Sequence, residues 1–195
     1  MPTPSRRSVV ELSVALAALI ASVASLFIAR HQAQVMDRQL AASVWPLLEY
    51  THSGVTSDGK LRAAISLRNT GIGPLRIRSF RATYDGKPVG DFSDVIEHCC
   101  LRDTATLRHM PIVSSYIGGR VVPAGEGFDF ISVHYDTAFA QAYHHLEGGM
   151  RKLEARYCYC SVLDDCWVRE SEHADADPTP VPNCDAEHRA KQFQI

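Results

Sequence analysis

The run from Leu12 to Ile28 carries no charge, and it decides the solvent in which the rest of the chain folds. Val9 to Ile28 spans about 20 residues, the length a helix needs to cross a hydrocarbon core of roughly 30 Å. Glu11 is the only charge in that window. It lies near the N-terminal end, where a carboxylate reaches headgroups or water at far lower cost than at mid-bilayer. A helix satisfies its own backbone in lipid, while Leu12, Ile20, Leu26 and Ile28 place apolar side chains among the acyl chains. Residues 9–29 are therefore expected to be a transmembrane anchor, with 1–8 cytoplasmic. A cleaved secretory signal competes: its apolar core runs about 7–15 residues to a small-x-small site. Ser22-Val23-Ala24 offers such a site, but Leu26, Phe27 and Ile28 continue the apolar run past it and favour an uncleaved anchor. A buried core helix is the third reading. Ala17, Ala21, Ser25 and Ala29 form a ridge of small side chains that is read as ordinary filler.

Flanking charge does not orient the anchor, because Arg6 and Arg7 on one side face Arg30 and Arg38 on the other. Cysteine usage breaks the tie. All six cysteines (Cys99, Cys100, Cys158, Cys160, Cys166 and Cys184) follow the anchor. An even set beyond an export signal reads as disulfides in an oxidising compartment. The expected topology is a cytoplasmic N-terminus and an exported C-terminal domain. The formal net charge is −2 with scattered basic residues, so nothing marks a nucleic-acid footprint.

Residues 30–44 keep good helix formers and read as a short helical stalk, stopped by Pro46. Strand signals then take over. Trp45 to Tyr50 is a predicted first strand, followed by the turn Ser57-Asp58-Gly59-Lys60. Leu61, Ala63, Ile65 and Leu67 alternate with Arg62, Ala64, Ser66 and Arg68, the period of a half-buried strand. After Asn69-Thr70-Gly71-Ile72-Gly73-Pro74, strand character resumes from Leu75 to Tyr84 and ends at the turn Asp85-Gly86-Lys87-Pro88. A short helix is expected over Asp91–Cys99. Strands are expected over Gly119–Val122 and Phe128–Tyr135, and a helix over Asp136–Glu147, capped by Asp136 or Thr137 and ended by Gly148-Gly149. Leu153–Val162 and Cys166–Val168 read as partner strands. From residue 170 to 195 the composition, with Asp175, Asp177, Pro178, Pro180 and Pro182, predicts an extended, flexible tail without an ordered element. Cys184 lies within it and would pin it to the core if bridged. The fold expected over 45–169 is mainly β: an irregular, Ig-like antiparallel sandwich with one or two short helical insertions, with α+β as the rival.

Three segments together carry a resemblance. They are Ala42-Ser43-Val44-Trp45-Pro46, then Asn69-Thr70-Gly71-Ile72-Gly73-Pro74 with Tyr84-Asp85-Gly86-Lys87-Pro88, then Tyr157-Cys158-Tyr159-Cys160-Ser161 with Asp165-Cys166-Trp167. Their order resembles a group of uncharacterised bacterial single-pass membrane proteins with a small exported domain. The resemblance covers roughly Trp45 to Val168. It implies an inner-membrane location, a periplasmic domain and a β-rich fold, and no activity.

On a strand, Cys158 and Cys160 point to one face while Tyr157 and Tyr159 point to the other. Cys160 and Cys166 are spaced to face each other across a hairpin, and Cys99 and Cys100, being adjacent, would each bridge elsewhere most easily. Staples of this kind stabilise small exported domains by about 2–4 kcal/mol each. The rival is a copper(I) or zinc site, or a thiol-handling site, built from His98, Cys99, Cys100, Cys158 and Cys160. No C-x₂-C pair supports it. Adjacent His144 and His145 diverge on a helix and read as a solvated face, and Asp164-Asp165 as a hairpin tip. Gly71-Ile72-Gly73-Pro74 lacks the Lys-Ser/Thr of a phosphate loop, and neither G-x-S-x-G nor H-E-x-x-H occurs. No catalytic residue and no cofactor is assigned, although an enzyme with a site outside these motifs stays open. The expected function is a membrane-anchored, disulfide-stapled binding or scaffolding domain. Its partners would be the lipid bilayer and another membrane or periplasmic protein, with periplasmic metal or thiol handling as the alternative.

Overall fold

The computed structural model describes residues 6–100, 109–189 and 192–193, with backbone only at 6–9 and 100. The chain divides into two units, Met1–Ser43 and Val44–Ile195. The first is a single helix, α1 (Arg6–Ser43), of 38 residues. At 1.5 Å per residue it is about 57 Å long. A hydrocarbon core therefore accommodates its apolar half and leaves the polar turns from Arg30 to Ser43 beyond. Its best window has a mean hydropathy of 2.4, and every described side chain from Val10 to Leu40 is exposed. The hydroxyls of Ser13, Ser22 and Ser25 donate to the carbonyls of Val10, Ala18 and Ala21, each at 2.8 Å, so the few polar atoms of the run are satisfied within the helix. By length and composition α1 can cross a membrane.

The second unit is an antiparallel sandwich. One sheet has the order β1 (Leu48–Val55), β2 (Leu61–Asn69), β7 (Gly127–His134), β5 (Ile112–Ser114). The other runs β10 (Thr179–Val181), β9 (Cys166–Glu170), β8 (Leu153–Ser161), β3 (Leu75–Tyr84), β4 (Lys87–Val89), with β6 (Val121–Val122) pairing β3 beside β4. Helices α2 (Phe92–Cys100) and α3 (Ala140–Met150) are the insertions, and a last turn, α4 (Asp185–His188), follows β10. Between the sheets, Ile65, Leu67 and Phe130 meet Ile77, Phe80 and Tyr157, all buried in one cluster. Tyr50 donates to the Leu153 carbonyl at 2.8 Å and Tyr157 to that of Leu48 at 3.2 Å, hydrogen bonds that tie one sheet to the other.

The alternation read in β2 holds at Ala63, Ile65 and Leu67, which are buried, but Leu61 at the strand's end is exposed and Ala64, on the alternate face, is buried too. Lys87-Pro88, expected within a turn, begin strand β4, and the strand expected at Gly119–Val122 is confined to Val121–Val122; three larger expectations change as well. The first strand starts at Leu48, because Trp45–Leu47 bind the β2–β3 turn instead: Ile72 N donates to the Trp45 carbonyl at 3.0 Å and Thr70 N to that of Leu47 at 2.8 Å. This contact explains the glycines of that turn. A Cβ on Gly71 would lie 2.4 Å from Leu47 N, and one on Gly73 would lie 2.0 Å from the Val44 carbonyl oxygen. Second, Asp136 caps a 3₁₀ turn, Thr137–Phe139, and α3 begins only at Ala140 and runs through Gly148-Gly149 to Met150. Gly149 is a packing residue rather than a cap, since a Cβ there would lie 2.7 Å from Cys99 Cβ on α2. Third, the segment after Arg169 carries order that its composition does not suggest: a 3₁₀ turn at Ser171–His173, then β10 and α4.

Candidate functional site

The six-stranded sheet has a second buried face. Along β8, Leu153, Ala155, Tyr157 and Tyr159 enter the sandwich core, and the alternate residues face outward. Cross-strand register sets Cys160 beside Arg76 on β3 and Cys166 on β9, and Cys166 in turn beside Val181 on β10. One pleat along, Cys158 lies between Ser79 and Val168. A further pleat along, Arg156 lies between Arg81 and Glu170. Cys158, Cys160, Cys166, Val168 and Cys184 form a small apolar cluster separate from the main core, with Val181 packed against it. A strand buried on both faces loses polar alternation, which is why Tyr157-Cys158-Tyr159-Cys160 carries no polar side for solvent.

The cover is the C-terminal strap. Cys184 is bonded to Cys158, and Cys160 to Cys166 across the β8–β9 hairpin. Next along the strap, Glu187 meets Arg156 in a two-pronged ion pair, Nη2 to Oε1 at 2.9 Å and Nε to Oε2 at 3.1 Å, and Arg81 pairs with the same carboxylate. Arg156 also pairs with Glu170, so the network alternates in sign. Beyond it, the Gln192 side-chain oxygen accepts from Phe80 N at 3.0 Å, and Phe193 N donates to the Phe80 carbonyl at 2.9 Å. Those two bonds occupy β3 between the stretches paired by β6 and β4. Phe193 then enters the sandwich against Phe80 and Phe130.

Arg156 is the first cause that holds the Glu187 carboxyl below its ordinary value. Unfolded, a glutamate titrates near about 4.3. The strap's gain from Glu187 is therefore complete above that pH and is lost as pH falls through the lower folded value. Thermal midpoints of the wild type are expected to fall more steeply than those of Glu187→Gln as pH drops below about 4.3, and the two curves to converge in acid. Parallel curves would show that Glu187 does not carry the strap. Burial pushes the Tyr159 phenol up to about 12, so it stays neutral at physiological pH.

Of the residues singled out in the sequence, the structure gathers Cys158, Cys160, Cys166 and Cys184 into this site. His98 and Cys99 sit on α2, whose Cys99 packs against the main core, and are not brought to Cys158 and Cys160. Cys99 is itself disulfide-bonded, and no cysteine is free among the described residues. The Cys100 side chain lies outside the described residues. The hairpin tip is a turn, with Asp164 at φ +61°. Arg81, Arg156, Glu170 and Glu187 escaped sequence reasoning, because ion pairs spanning 14 to 106 residues leave no local pattern. Comparison with family models, with curated proteins and with solved structures finds no match to this chain.

Proposed function

We propose that this chain is a single-pass membrane protein that holds a cross-linked sandwich on the exported side of the membrane as a binding or scaffolding module. The observation that carries the reading is α1: 38 residues of helix whose apolar side chains, from Val10 to Ile28, are all exposed. Exposed in water, such a run is an aggregation hazard. In lipid it is at its free-energy minimum. The bridges Cys158–Cys184 and Cys160–Cys166 support export, since structural disulfides persist in oxidising compartments. The resemblance to bacterial single-pass proteins favours the inner membrane and the periplasm. The partners in this reading are the bilayer and a second membrane or exported protein.

Topology tests it. Full-length protein should stay in the membrane pellet through alkaline carbonate extraction. A phosphatase active only after export should be active when fused after Ile195, and a fluorescent protein that folds only in the cytosol should be dark there. Deleting residues 1–43 should move the product to the soluble fraction. A freely soluble full-length product, or a cytosolic reporter signal, overturns the reading. The metal-handling alternative, expected at His98, Cys99, Cys100, Cys158 and Cys160, would instead have to use Cys160, Cys166 and Cys184, whose sulfurs lie within 4.8 Å of one another. It requires both bridges to be reduced first, because a bridged sulfur has no thiolate to give.

A further inference from the structure

Beneath the strap the two disulfides touch. Cys160 Sγ lies 3.7 Å from Cys184 Sγ, and the two belong to different bridges. That is van der Waals contact, a few tenths of an ångström outside the roughly 3–3.5 Å of a near-attack arrangement. Independent staples need no such contact. Cys166 is 7% exposed against 0% for Cys158, 2% for Cys160 and 4% for Cys184, and it lies at the turn end of the hairpin beside the exposed residues 162–165. Cys166 is thus the least buried of the four residues, and the entry point for an external thiol is placed there.

We propose that these four cysteines form one thiol–disulfide exchange site for an external dithiol, in which reduction at Cys166 is relayed through Cys160 to Cys184. A thiolate of the dithiol attacks Cys166 Sγ. The Cys160–Cys166 bond breaks and its electron pair leaves on Cys160, which now faces Cys184. Cys160 thiolate attacks Cys184 Sγ, the Cys158–Cys184 bond breaks, and Cys158 leaves as thiolate and takes a proton from water. The dithiol's second sulfur attacks its own mixed-disulfide sulfur and departs as a disulfide, freeing Cys166. Two electrons have passed from the dithiol to the protein, one protein bridge remains, and it is Cys160–Cys184. The strap stays covalently held, but its anchor has moved two residues along β8, about 6.6 Å. The inference goes beyond the membrane-anchored reading and holds in whichever compartment the domain lies.

The test uses full-length protein in detergent, made oxidised. In Cys166→Ser, Cys160 has no partner. After acid quench, alkylation and fragment mapping, the label should be shared between Cys160 and Cys158, and both Cys158–Cys184 and Cys160–Cys184 peptides should be detected. Label on Cys160 alone overturns the proposal. If that variant does not fold, the unmodified protein decides: limiting dithiothreitol should give a two-thiol species labelled at Cys158 and Cys166. Among Cys158, Cys160, Cys166 and Cys184, a two-thiol species labelled at any other pair, or loss of both bridges together, overturns it.

Discussion

Asn69→Ala is expected to destabilise the sandwich unit by about 3–5 kcal/mol, since each buried polar group left unpaired costs roughly 1–3 kcal/mol. Asn69 is fully buried at the end of β2. Its side-chain nitrogen donates to the carbonyls of Gly73 at 2.8 Å and Val122 at 3.0 Å, while its oxygen accepts from Gly71 N at 3.1 Å and Leu47 N at 3.3 Å. One amide thus joins the segment entering the sandwich, the β2–β3 turn and β6. Alanine removes all four bonds and leaves a hole at their centre. Chemical denaturation of full-length protein in detergent, followed by Trp45 and Trp167 fluorescence, measures the loss. Asn69→Asp sharpens the test. A carboxylate keeps the two accepted bonds but sets its charge against the carbonyls of Gly73 and Val122, which repels both. Only the protonated acid can donate to one of them, so its folded pKa is raised above the unfolded value. Asn69→Asp should therefore be most stable below about pH 3.9, the unfolded aspartate value, and lose stability as pH rises through the folded value. A loss below about 1 kcal/mol in Asn69→Ala, no more than one ordinary hydrogen bond, would show that Asn69 is not the hub.

This residue marks the boundary of what the sequence discloses. Asn69-Thr70-Gly71-Ile72-Gly73-Pro74 reads correctly as a turn from its glycines and proline. The clasp it forms with Val44–Leu47 and Val122 is invisible, because the partners lie 22 and 53 residues away and leave no periodic trace. The strand β3 is legible residue for residue at Leu75–Tyr84, because a hydrophobic alternation and a strong turn bound it. The strap is the opposite case. Pro178, Pro180 and Pro182 deny it regular structure by composition, yet β10 forms at Thr179–Val181 as an edge strand with Pro180 in it, a position where a missing donor is tolerated. Its order comes from tertiary anchors, Cys184 and Glu187, of which only the cysteine was conspicuous in the sequence. The face of β8 carrying Cys158 and Cys160 was legible by alternation. That a strap covers it was not, although a strand apolar on both sides is itself a sign of double burial.

Phe130→Ala is the other substitution expected to be severe. Phe130, on β7, is fully buried, with its ring 5.2 Å from Phe80, 6.0 Å from Tyr50 and 6.4 Å from Phe193, so it joins both sheets and the strap. Truncating a buried phenylalanine costs about 3–5 kcal/mol, through lost transfer energy and the cavity left behind. For a unit of this size each kcal/mol lowers the thermal midpoint by about 2–4 °C, so a fall of roughly 10 °C is expected. The partner variant Phe193→Ala distinguishes a strap that plugs the sandwich from one that only lies against it. If Phe193 fills space against Phe130, the two truncations share a cavity. The double variant should then lose less than the sum of the singles by about 0.5–1.5 kcal/mol, the coupling typical of aromatic pairs. Strict additivity would mean that the strap's last described residue contributes nothing through Phe130, and the strap would then be held by its pairing with β9, by Cys184 and Glu187, and by its contacts with Phe80. A positive coupling would make Phe193 an energetic part of the core. Moving the anchor of the strap along β8 would then also withdraw Phe193 from between the sheets, and the thermal midpoint would report the redox state of the sulfurs.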